Sequence, residues 1–162
     1  MTELLPAPAG PFALAHGRQQ LVPGRWVQAA GRPHEILGTI VCVDHVEAWL
    51  ECLLQSDDGL SRWLAVEVRG EGYRCTLWDR TVHDEMPPAL SVAGQGVEIV
   101  AGTASFHSIG TFGAYPIPSE GLMTYHELSG ATATAAEQFA AGGPWLVGRG
   151  DGANIEFRAA GE

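Results

Sequence analysis

The clearest pattern of apolar and polar positions lies between residues 47 and 69. EAWLECLLQS and LSRWLAVEVR flank the turn Asp57-Asp58-Gly59. A three-residue loop ending in Gly suits a type I turn followed by a Gly in the left-handed region. Ser56 then faces Leu60, and counting outward pairs Cys52 with Leu64, Leu50 with Val66 and Ala48 with Val68. All six are apolar, and opposed residues of a hairpin share a face, so this face belongs to a core. The other face pairs Leu53 with Trp63, Glu51 with Ala65 and Trp49 with Glu67, mixing large aromatics with carboxylates. A one-residue slip would mix the two sets, which fixes the register. Leu50, Cys52, Leu54, Leu64 and Val66 are the predicted core.

The same reading extends along the chain. Residues 25–29 form a short strand ending at Gly31-Arg32-Pro33. Residues 34–44 (HEILGTIVCVD) are rich in β-branched side chains, with Gly38 as a bulge or close-packing point. Gly70-Glu71-Gly72 turns the chain into a strand over 73–78. Residues 79–95 read as a crossing loop around Pro87-Pro88. Strands resume over 96–101, 103–109 and 120–127. Residues 131–141 (ATATAAEQFAA) fit a helix by their alanines and a strand by their alternation. Strands over 145–148 and 154–158 flank a turn at Arg149-Gly150-Asp151-Gly152. Residues 1–22, interrupted by Gly and Pro, read as an irregular arm from which Leu14 or Phe12 drapes over the core.

The predicted fold is therefore mainly β. Antiparallel hairpins form two small packed barrel-like or sandwich units with little helix, in a single domain over 23–162. A weak echo divides it into 23–82 and 96–158. HEILGTI resembles VEIVAGTA, Trp49-Leu50-Glu51 resembles Tyr125-His126-Glu127, and RGEGYRCTLW resembles RGDGANIEF. Duplication and chance likeness of short strands both account for it.

Composition narrows the classes. The 162 residues include 21 Gly and 10 Pro, which agrees with many turns and short strands. Nineteen acids against nine bases give a formal charge of −10. An acidic surface repels phosphate, which argues against nucleic acid and anionic membrane as partners. It attracts a cation, a polyamine or a basic protein segment. Cys42, Cys52 and Cys75 sit in apolar stretches without a CxxC pair, as buried free thiols of a reducing compartment do. The start carries Glu3, no basic residues and three early prolines, unlike a signal peptide, and no apolar run is long enough to span a bilayer. The expected location is the cytoplasm.

Several short motifs, in order, resemble the domain of unknown function 4178 (DUF4178) family, in its actinobacterial form. They are Trp49-Leu50-Glu51-Cys52-Leu53-Leu54, the acidic turn Asp57-Asp58-Gly59, Arg62-Trp63-Leu64 and Thr76-Leu77-Trp78. In the second half they are Gly102-Thr103-Ala104-Ser105-Phe106, Tyr125-His126-Glu127 and Glu137-Gln138-Phe139. The likeness spans roughly residues 24–158. At Glu127 relatives more often carry Asp. The family has no assigned activity. The resemblance implies a bacterial gene neighbourhood with a spermidine-synthase-like aminopropyltransferase and small membrane proteins, hence a link to polyamine or envelope-stress systems.

Candidate chemistry is sparse. None of the six histidines pairs with another at metal-ligand spacing, and His83-Asp84-Glu85 reads as a solvated charge cluster. No serine lies in a nucleophile-elbow pattern, and Gly94-Gln95-Gly96 lacks the lysine and helix of a phosphate loop. No cofactor or metal is expected. What remains is the aromatic–acid set Trp49, Glu51, Trp63 and Glu67, with Tyr125 and Glu127 as the echoed pair. Ring faces beside carboxylates suit a cation. A flat sheet face packed on the second half would use the same residues. The expectation is a non-catalytic binding or assembly module for a protein partner or a polyamine. The alternative is an enzyme using Glu51 or Glu127 for acid–base chemistry. A deep pocket in which carboxylates meet other polar groups would favour the latter.

Overall fold

The computed structural model describes residues 2–3, 21–45, 47–69, 72–86, 98–129, 133–152 and 155–158. Of the predicted irregular arm over 1–22, residues 4–20, with Leu14 and Phe12, lie outside them. So do the Pro87-Pro88 loop, Gly70-Glu71 and the side chain of Val68. Thr2 and Glu3 of that arm are strand, paired with Arg158 and Phe157. Eleven strands are present among the described residues: β1 (Thr2–Glu3), β2 (Trp26–Ala29), β3 (Arg32–Val43), β4 (Ala48–Ser56), β5 (Ser61–Arg69), β6 (Gly72–His83), β7 (Glu98–Gly110), β8 (Glu120–Ser129), β9 (Ala133–Gln138), β10 (Trp145–Gly152) and β11 (Ile155–Arg158). Among the described residues there is no helix, and none long and apolar enough to cross a membrane.

The alternating patterns settle as strands because their apolar positions find partners on both sides. The β4–β5 hairpin adopts the register read from the sequence: Leu50 opposes Val66, Cys52 opposes Leu64, Glu51 opposes Ala65 and Trp49 opposes Glu67. Gly59 closes it in the left-handed region, at φ 84°. β3, β4, β5 and β6 form one antiparallel meander, and β7, β8, β9 and β10 form another. β3 pairs with β7 and β6 with β10, so the eight strands close into a single barrel. The two halves thus share one core.

They also match in register. Trp49 opposes Glu67 while Tyr125 opposes Glu137, and Glu51 opposes Ala65 while Glu127 opposes Ala135. Closure then turns the mixed aromatic–acid face of β4 and β5 into the barrel interior. The opposite, apolar face lies outside the barrel and is buried under a second layer. Leu50, Cys52, Leu54, Leu64 and Val66 are there with Leu21 and with Val27 and Ala29 of β2. The first half is therefore covered on both faces. On the second half, the outward-pointing Thr103, Ser105, His107 and Leu122 are exposed.

Three sequence readings are corrected. First, β6 runs on to His83 instead of ending at Trp78, because Trp78, Arg80 and Val82 keep pairing with Gly150, Gly148 and Leu146. Second, Arg149-Gly150-Asp151-Gly152 is strand, not turn. Its glycines serve cross-strand space: a Cβ at Gly150 would sit 2.7 Å from the Trp78 ring, and one at Gly148 2.7 Å from Arg80 Cγ. Third, Gly102 does not divide two strands. It lies under Tyr125, whose hydroxyl would meet a Cβ at 2.6 Å. Residues 133–138 resolve the Ala-rich ambiguity as strand.

Gly38 has both predicted roles. The β3–β4 register shifts between Ile36 and Gly38, and a Cβ there would lie 2.6 Å from Phe112. This close approach seats the loop after β7 against the barrel end. The three cysteines are free and buried.

Candidate functional site

Inward positions along the strands form layers. Deep toward one end lie Leu53, Trp63, Phe106, Phe112, Met123, Phe139 and Leu146. Trp63 stacks on Phe112 at 6.0 Å and meets Tyr115 edge-on at 5.2 Å, while Phe106 meets Phe139 at 5.1 Å. Rings fill that end.

The layer above is ionic. β4, β6 and β9 bring Glu51, Arg80 and Glu137 together with their side chains 1%, 4% and 8% exposed. Arg80 Nη1 donates to Glu51 Oε1 at 2.6 Å, and Nη2 lies 2.8 Å from Glu137 Oε1. The second contact is close but poorly aligned, since Glu137 Oε1 accepts no hydrogen bond. Trp49 Nε1 donates to Glu51 Oε2 at 3.0 Å, and the Cys42 thiol approaches the same oxygen at 3.7 Å. Beneath, the Arg80 guanidinium lies over the Trp63 ring at 4.9 Å, a cation–π contact in a dry interior.

Two carboxyl groups around one guanidinium cannot both be charged cheaply in such a place. Burial pushes both toward the neutral acid, and their surroundings then separate them. For Glu51, Arg80 and the hydrogen bonds from Glu137 and Trp49 outweigh burial and hold it below the usual carboxylate range. For Glu137, burial and the charge of Glu51 outweigh Arg80 and raise it well above that range. The two shifts run in opposite directions, so the proton of the pair is favoured on Glu137 and the charge opposite Arg80 on Glu51. Burial also pushes the thiols of Cys52 and Cys75 up to about 12, so they stay protonated.

Above the triad the barrel is open. A cavity of about 140 Å³ is lined by Trp49, Trp78 and Tyr125, with Glu51, Arg80 and Glu137 on its floor. Asp44, Glu47, Glu67, Glu127 and Arg74 surround it further out, giving six carboxyl groups against two guanidinium groups. Trp49 and Tyr125 stand edge to face at 5.7 Å, and the Tyr125 hydroxyl donates to Asp44 Oδ2 at 3.1 Å. Trp78 Nε1 is buried without a hydrogen-bond partner.

Five of the six residues singled out from the sequence, Trp49, Glu51, Glu67, Tyr125 and Glu127, therefore line one cavity. Trp63 does not; it lies below the ionic layer. Glu51 is buried. Sequence reading missed Arg80 and Glu137 as site residues. Arg80 fell in a presumed loop, although Thr76, Trp78 and Arg80 continue the alternation. Glu137 lay in the Ala-rich stretch, where Ala133, Ala135 and Glu137 alternate likewise. Among the described residues no three His, Cys, Asp or Glu side chains are placed to hold a metal ion. No family model, no curated protein and no solved structure matches the chain.

Proposed function

We propose that the open end of the barrel binds a small organic cation, with the ammonium end of an aliphatic polyamine as the best fit, and that the chain is a non-catalytic binding module. The observation that carries this is the cavity's lining: six carboxyl groups, two guanidinium groups and three aromatic walls. Cavities of about 150 Å³ hold a benzene-sized guest. An ammonium with a short alkyl arm fits inside, and the rest of a longer polyamine would lie along the acidic mouth. Each ring face offers an alkyl ammonium about 0.5–2 kcal/mol. The outer carboxylates add attraction that salt screens. The resemblance to the DUF4178 family agrees with this reading through the aminopropyltransferase-like neighbour it implies.

Calorimetric titration with spermidine tests the proposal. Binding should be micromolar to millimolar at low salt and weaker at ~0.5 M salt, where the Debye length falls to about 4 Å. Glu67→Gln with Glu127→Gln should weaken it at low salt, with thermal unfolding little changed. No binding at millimolar spermidine, or unchanged binding in the double variant, would remove the proposal.

One observation favours catalysis instead: Glu51 and Glu137 are neighbouring carboxyl groups whose environments separate their proton affinities, as an acid and a base require. Their hydrogen bond to each other places them closer than the ~5 Å of retaining glycosidases. Turnover of any substrate that is lost in both Glu51→Gln and Glu137→Gln, in folded protein, would establish that reading.

A further inference from the structure

The floor of the cavity holds an acid that has no electrostatic need of its proton once another cation arrives. Glu137 is buried, lines the cavity, and its Oε1 accepts no hydrogen bond. It shares one guanidinium with Glu51, which takes the better-aligned contact. Resting on the cation-binding reading above, we infer that the ligand ammonium seats on Glu137 and takes the place of its proton, so that each binding event releases one proton to solvent.

The charge balance is direct. Before binding, Arg80 and Glu51 neutralise each other and Glu137 is a neutral acid. After binding, Arg80 with Glu51 and the ammonium with Glu137 form two neutral pairs. The O–H bond of Glu137 is broken, its proton goes to water, and the ligand keeps its own protons. An alkyl ammonium resembles the lysine side chain, with a pKa of about 10.4, so it stays charged near neutral pH. The raised proton affinity of Glu137, from burial first and from Glu51 next, agrees with a proton resident in the empty cavity.

The ionisable groups around Glu137 come from every neighbouring wall. β3 brings Cys42, the turn after it Asp44 and Glu47, β4 Glu51, β5 Glu67, β6 Arg74 and Arg80, and β8 Tyr125 and Glu127; on β10 the residue opposite Glu137 is Leu146. Burial, with Glu51 and Glu137 alongside, raises the Cys42 thiol well above its usual range, and burial and Asp44 raise the Tyr125 hydroxyl. Neither loses its proton near neutral pH. Glu51 is already ionised, which leaves Glu137 as the floor group with a proton to give.

The sign follows from linkage. The bound state carries one proton fewer, so affinity rises with pH, about tenfold per unit, until Glu137 ionises unaided. The test is titration of the full chain with 1,4-diaminobutane at several values between pH 5 and 8. Each titration is run in two buffers of different ionisation heat, which counts protons released. About one proton per ligand is expected. Glu137→Gln replaces a neutral acid by a near-isosteric amide, so it should fold, bind more weakly at pH 8 and release no proton. Glu51→Gln should also release none, because Glu137 then ionises against Arg80 before any ligand arrives. Diamine binding without proton release, or release that persists in Glu137→Gln, overturns the exchange and leaves the binding reading standing. No saturable binding at millimolar diamine overturns both.

Discussion

The two ends of this barrel are built from the same inward alternation and come out opposite. At one end Trp63, Phe106, Phe112 and Phe139 interlock, and the Phe112 ring seats against Gly38. At the other, Trp49, Trp78 and Tyr125 line a cavity together with six carboxyl groups. For Trp49 and Tyr125 the difference lies in what faces them across the strands. Trp63 opposes Leu53 and Trp78, whereas Trp49 opposes Glu67 and Tyr125 opposes Glu137. Apolar partners close a barrel end by packing. Charged partners hold it open, because each acid must be solvated, paired or neutralised. Arg80 is the boundary between the two, with a ring below it and two acids beside it.

The largest effect expected from breaking this arrangement is at that boundary. Arg80→Leu leaves Glu51 and Glu137 buried without their cation, and removal of one partner of a buried ion pair costs about 3–5 kcal/mol. With no guanidinium, both acids have raised folded pKa values. The variant should therefore be nearest to the parent at pH 5 and lose most at pH 8, as urea unfolding at both values would show. A small, pH-independent loss would mean that the ionic layer is not dry.

Next comes the plugged end. Phe112→Ala should cost about 3–5 kcal/mol as a core truncation, yet leave amine binding by the folded protein unchanged. If affinity fell too, the ends would not be independent. Comparable in size is the second covered surface: Leu50→Ala should lose about 2–5 kcal/mol, while Leu122→Ala, 71% exposed on the other half, should stay within about 0.5 kcal/mol. Thermal unfolding of the pair compares the half covered on both faces with the half exposed on one. The smallest effect concerns the open end's wall. Gly150→Ala forces a methyl against Thr76 and Trp78, with overpacking typically about 1–3 kcal/mol. Indole fluorescence should shift with it. No change would place Gly150 in a turn after all.

The sequence made much of this legible, and its failures have physical causes. The β4–β5 register was readable because turn chemistry and two cleanly separated faces agreed. The aromatic–acid pairs were readable as a set, since Trp49-Leu50-Glu51 and Tyr125-His126-Glu127 repeat. What could not be read was closure. A face that is mixed in a flat hairpin becomes an interior only when β3 meets β7 and β6 meets β10, and those contacts join residues far apart in the chain. The glycines misled for the same reason. Gly148 and Gly150 look like turn residues until Arg80 and Trp78 are seen lying across them. Glu137, alone among alanines, gives no local sign that an arginine on another strand needs it.

The claim that the open end is the binding site is tested most directly by the indole N–H resonances of the five tryptophans in a ¹⁵N-labelled sample titrated with spermidine at low salt. Trp49 and Trp78, in the cavity wall, should shift and saturate together. Trp63, below Arg80, Trp26 of β2, and Trp145 on the outer side of β10 against His126 should stay in place. If no indole resonance moved at millimolar spermidine, or only those of Trp26 and Trp145 did, the cavity would not be where a cation binds.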